Sequence, residues 1–80
     1  MQTFFVSLAS ITDVKHFVDA ATRCTCEVDV LSGRYVIDAK SIMGLFSLDL
    51  SKPVQVEFHG TDADSQSFKQ DIAAYLTSAN

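Results

Sequence analysis

Two hydrophobic periods alternate along this 80-residue chain, and their order limits the folds open to it more than any other feature. Where apolar side chains recur at every second position, a strand buries one face; where they recur at every third and fourth, a helix does. Phe4, Val6 and Leu8 share one face of a strand over residues 3–8, with Phe5 pointing the other way. Val14, Phe17, Val18 and Ala21 fall at i, i+3, i+4 and i+7, so the spacing predicts a helix over residues 13–22, with Thr12 or Asp13 available to cap it. Cys26, Val28 and Val30 alternate with Glu27 and Asp29; Ser32-Gly33 then supplies a turn, and residues 34–39 return with Tyr35, Ile37 and Ala39 on one face. Residues 41–46 predict a short helix weakened by Gly44, and residues 47–53 an irregular connection. Val54, Val56 and Phe58 alternate with Gln55, Glu57 and His59 in the expected last strand, which Gly60 ends. After the polar stretch 61–65, Phe68, Ile72, Tyr75 and Leu76 predict a closing amphipathic helix.

The order is thus β-α-β-β-α-β-α. Polar and apolar positions alternate cleanly along the strands, which implies an antiparallel sheet with one wet face and one face covered by helices, an α+β two-layer sandwich. Order and period alone leave ferredoxin-like and other split βαβ folds unresolved.

Eighty residues make one domain, spanning 1–80, whose core must be compact. The chain is 48% hydrophobic, which argues against disorder. Six basic against ten acidic side chains give a formal charge of −4 without a block of like charge, and phosphate-backbone binding needs a concentrated basic surface, so nucleic acid is not an expected partner. No run of apolar residues is long enough to span a bilayer, and the first residues carry neither a basic start nor a cleavage site, so no membrane partner and a cytoplasmic location are expected. Cys24 and Cys26, one residue apart, would close a strained ring if bonded and are read as reduced structural thiols.

Three features in register make the chain resemble the HPr family, the small phosphocarriers of the bacterial sugar phosphotransferase system. Lys40-Ser41-Ile42-Met43-Gly44 followed by Ser47-Leu48 is similar to the segment carrying the regulatory serine of the Gram-positive members. Phe17-Val18-Asp19-Ala20-Ala21 stands before residues 25–30 as the family's first helix stands before its second strand, and residues 54–60 lead through an acidic turn into a last helix. The resemblance implies an HPr-like open-faced sandwich with a four-stranded antiparallel sheet and the helices on one face. It also implies a histidine just before the first helix that takes a phosphoryl group from Enzyme I and passes it to sugar-specific proteins, with an arginine nearby.

Residues 8–15 here read Leu-Ala-Ser-Ile-Thr-Asp-Val-Lys, with neither histidine nor arginine. Registered on Phe17 and Glu27, the resemblance puts Ser10 at the carrier-histidine position, Thr12 at the arginine and Asp13 at the family's proline. An imidazole nitrogen attacks phosphoryl groups readily near neutral pH, whereas an unactivated serine hydroxyl stays protonated. Asp13 would repel an arriving phosphoryl anion. His16 is the nearest imidazole, yet aligning it with the carrier histidine would delete about two helical turns from the segment after it.

By the same resemblance Ser41 is the regulatory phosphorylation site, at a helix start where a phosphate meets free backbone N–H groups; the plainer role is that of a cap. Lys40, Ile42, Met43, Leu45 and Phe46 form the expected docking patch, which in the family meets Enzyme I, the sugar-specific proteins, an HPr kinase and a catabolite repressor. The plainer reading is core plus scattered surface hydrophobes. Cys24 and Cys26 with His16 and His59 have no recognised metal spacing, and neither metal nor cofactor is expected. His59, Asp62 and Asp64 read as strand-end and helix-start residues. No nucleophile, base and orienter set marks an enzyme. The reading is an HPr-like regulator or adaptor acting through the Ser41 helix, its partners drawn from the phosphotransferase system or catabolite regulation. Two rivals stand beside it: a working carrier with Ser10 or His16 as an unusual acceptor, and a structural relic or interaction domain.

Overall fold

The computed structural model describes residues 1–78. Along the chain run β1 (Gln2–Val6), α1 (Ile11–Thr22), β2 (Val28–Ser32), β3 (Tyr35–Asp38), α2 (Ile42–Phe46), β4 (Val54–Phe58), α3 (Asp62–Asp71), a 3-10 turn (Ala73–Tyr75) and β5 (Leu76–Thr77). The strands form one antiparallel sheet in the order β3-β2-β4-β1-β5, and the helices pack on one face of it. The α+β open-faced sandwich is the fold the sequence predicts.

The alternation places the core. Val28 and Val30 of β2, Val54, Val56 and Phe58 of β4, and Val6 of β1 point under the helices and are buried. From α1 they meet Val14, Phe17, Val18, Ala20 and Ala21, and from beyond it Leu45, Phe68 and Ile72. Phe68 sits at the centre of an aromatic cluster, with ring centroids 5.4 Å from Phe58, 5.8 Å from Phe17 and 6.2 Å from Phe4.

Four details differ from the sequence reading. First, α1 begins at Ile11, not Asp13, because Ser10 is the cap: its Oγ accepts from the Asp13 N–H at 3.1 Å, while the Asp13 carboxylate reaches back to accept from the Ala9 N–H at 3.0 Å. This reciprocal pairing satisfies two donors at once. Second, the hairpin turns on Gly33-Arg34, since Ser32 and Tyr35 still pair; Gly33 has φ +58° and Arg34 does not enter the left-handed region, the pattern of a type II′ turn.

Third, most of the polar stretch is itself helical, residues 62–65 forming the start of α3 behind the Thr61 cap. Thr61 Oγ1 accepts from the Asp64 N–H, Asp62 and Asp64 oppose the dipole of the first turn, and Ser65 is fully buried, its hydroxyl donating to Gln2 Oε1 at 2.8 Å. Fourth, the sheet has five strands, not four, and the helix does not close the chain. The α3 helix ends at Asp71, and the Ser7 N–H donates to Tyr75 O at 2.8 Å. Leu76 and Thr77 then pair with Val6 and Phe5. An otherwise open edge of β1 is partly covered this way.

Candidate functional site

The start of α1 faces the end of α2 and the loop after it on the helical side of the sheet. A groove of about 410 Å³ runs between them, lined by Leu8, Ser10, Ile11 and Val14 at the start of α1 and by Phe46 and Leu50 from the other side. The structure therefore brings Ser10 and Phe46 to one surface, with Ile11 64% exposed beside them.

Ser10 has extended backbone (φ −137°, ψ 165°) and uses its hydroxyl oxygen to cap α1. No imidazole lines the groove. His16 is further along α1, its Nδ1 3.0 Å from the Tyr75 hydroxyl. That contact ties α1 to the 3-10 turn.

Ser41 is exposed and caps α2, its Oγ accepting from the Gly44 N–H at 3.2 Å. Gly44 lies so close to β3 that a Cβ there would stand 2.6 Å from Ile37 Cγ2 and 3.0 Å from Ser41 Oγ. The glycine that weakens the helix by propensity is what lets it seat on the strand. The five-residue helix splits its apolar side chains: Leu45 is fully buried and Ile42 half-buried against the core, while Met43 is 77% and Phe46 41% exposed. Leu45 is thus a core residue and not part of an exposed patch, because one turn of helix has room to send only part of its apolar side chains outward. Lys40 is half-buried, its Nζ donating to the Cys24 carbonyl at 3.0 Å, away from Ser41. Of the expected docking patch, Met43 and Phe46 remain as the large exposed surface. Ser41 itself does not line the groove.

Cys24 and Cys26 are free thiols. Burial, and then the neighbouring Cys26, push the Cys24 pKa up, so this thiol is held protonated. Neither cysteine joins a metal-like cluster; among the described residues, the His, Cys, Asp and Glu side chains that converge in a group of three are Asp29, Glu57 and His59. That grouping was invisible in the sequence because it depends on β2 and β4 being neighbours.

A model of the family described as the PTS HPr component phosphorylation site matches residues 13–78. This chain belongs to the HPr family. The match runs from Asp13, inside α1, through β5 and includes Ser41, so this is an HPr-like protein related to the phosphotransferase system. HPr proteins are phosphocarriers and not themselves catalytic enzymes. The matched span opens at Asp13, three residues beyond Ser10. No curated protein matches the chain. No helix among the described residues is long and apolar enough to cross a membrane.

Proposed function

We propose that this HPr-family protein does not carry phosphoryl groups on histidine and acts instead as a regulator or adaptor, binding partners through α2 and switched by phosphorylation of Ser41. The observation that carries the first half is Ser10: the residue that registers with the carrier histidine is a capping serine, its oxygen engaged by the Asp13 N–H, with the Asp13 carboxylate folded back beside it. The residues lining the groove include neither a base to activate that hydroxyl nor a cation to hold an incoming phosphoryl anion.

The second half is supported by the neighbourhood of Ser41. Its hydroxyl is exposed, and the same short helix presents Met43 and Phe46 outward. A phosphate on Ser41 would place roughly −1.5 to −2 charge next to that apolar surface, enough to admit a basic partner or repel an acidic one. Partners of the phosphotransferase system or of catabolite regulation, and an HPr kinase as the modifying enzyme, fit this reading.

The test is incubation with ATP and an HPr kinase, followed by intact mass and peptide mapping. One added phosphoryl group on Ser41, lost in Ser41→Ala, supports the switch. An unmodified protein under conditions that phosphorylate an ordinary HPr removes it.

A further inference from the structure

The uncovered face of the sheet breaks a packing rule in one place. Asp29 of β2 lies directly between Asp38 of β3 and Glu57 of β4 in the strand pairing, so three carboxylates share one row. Like charges facing each other across strands are destabilising. Among the described residues no lysine or arginine pairs with Asp29, Asp38 or Glu57; the basic side chain that enters the row is His59. Asp38 is occupied by the Lys40 N–H, 2.9 Å from its Oδ1. That leaves Asp29 and Glu57 with the imidazole.

Their donor atoms converge. His59 Nε2 is 3.1 Å from Asp29 Oδ2 and 3.9 Å from Glu57 Oε1, and all three ligand atoms lie within 4.8 Å of one another. Donors bound at about 2.0–2.2 Å around one small divalent ion stand roughly 3–3.5 Å apart. The His59–Asp29 separation already meets this, and a small rotation of the Glu57 carboxylate brings in the third. The side chains are only 25–33% exposed, so the strands hold them in place while one side stays open to water.

The geometry points to a binding site for a divalent first-row transition ion on the open face of the sheet, with His59 Nε2 and one carboxylate oxygen each from Asp29 and Glu57 as ligands and water completing the sphere. One imidazole with two carboxylates is a borderline donor set that suits zinc or manganese, whereas an all-oxygen set would favour calcium or magnesium. The ion would also neutralise a row of carboxylates that, among the described residues, no lysine or arginine side chain offsets. The site lies on the face away from the helices and is independent of the Ser41 proposal.

The experiment is calorimetric titration of the reduced full chain with zinc. Binding of one equivalent is expected, weakened about tenfold or more in His59→Ala and in Asp29→Asn, and unchanged in the double variant Cys24→Ser, Cys26→Ser. Absence of binding, or binding lost with the cysteines and kept without His59, overturns the proposal. Should the strand variants not fold, manganese added to the isotopically labelled wild-type chain decides the matter. Amides around Asp29, Glu57 and His59 should broaden first and those of α1 and α2 last; broadening centred elsewhere refutes the site.

Discussion

Replacing Gly44 by alanine sets two physical effects against each other. Helix propensity favours alanine over glycine by up to about 1 kcal/mol, less in a single turn whose ends fray. The new Cβ, however, would stand 2.6 Å from Ile37 Cγ2, about 1 Å inside an ordinary carbon–carbon contact. Cγ2 is bonded to the Cβ of a β-branched residue, so it moves only if χ1 leaves its well or β3 shifts. Overpacking of this kind costs about 1–3 kcal/mol. The contact also comes within 3.0 Å of Ser41 Oγ, straining the cap. Sterics should win, leaving Gly44→Ala destabilised by about 1 kcal/mol. Urea unfolding is the assay: with m near 1 kcal/mol/M for so small a domain, the midpoint should fall by about 1 M at unchanged m. A midpoint equal to or above wild type would refute the argument that Gly44 is there for close approach to β3.

Phe68→Ala should be the most damaging core change, since it empties the centre of the cluster of Phe4, Phe17 and Phe58, and a loss of about 3–5 kcal/mol should appear in the same unfolding assay. Ser10→Ala removes the α1 cap and should cost about 1 kcal/mol. Ser10→Asn, another strong cap, should restore most of it, and failure to do so would mean that the hydroxyl has a role besides capping. The Ser51 hydroxyl and N–H both donate to Asp49 Oδ1, which lowers the Asp49 pKa from its ordinary 3.8. A folded-state pKa below the unfolded one stabilises above the unfolded value and loses that contribution as pH falls through the folded value. In an NMR titration of the carboxyl groups Asp49 should therefore titrate below the ordinary aspartate value, and Ser51→Ala should move it back up.

β2 and β4 were legible because each buries one face, so Val28, Val30, Val54, Val56 and Phe58 announce their direction in the bare sequence. Phe17 was legible from the helical period, whereas Leu8, though buried, lies beyond β1, which ends at Val6 and not at residue 8. The cap of α1 was also present in the sequence, as a serine followed three residues later by an acid, but the apolar period starts only at Val14 and hides it. The last strand had no local signal. Tyr75 and Leu76 continue the helical spacing of Phe68 and Ile72, and what pulls them into the sheet is a distant hydrogen bond to Ser7. Of the candidate site, the identity of Ser10 and Ser41 could be read from the chain, but their surroundings could not. That Leu45 turns inward while Met43 and Phe46 turn outward reflects how α2 seats on Ile37. The Asp29, Glu57 and His59 group needs the β2–β4 register to exist at all.

The central claim is an HPr fold without carrier chemistry, and phosphoenolpyruvate with Enzyme I addresses it directly. The protein is incubated with both beside a histidine-bearing HPr as positive control, and phosphoryl transfer is followed by intact mass under conditions that preserve phosphohistidine. The control is expected to gain a phosphoryl group, and this protein is expected to gain none. Stoichiometric transfer to this protein, abolished by Ser10→Ala or by His16→Ala, would contradict the claim.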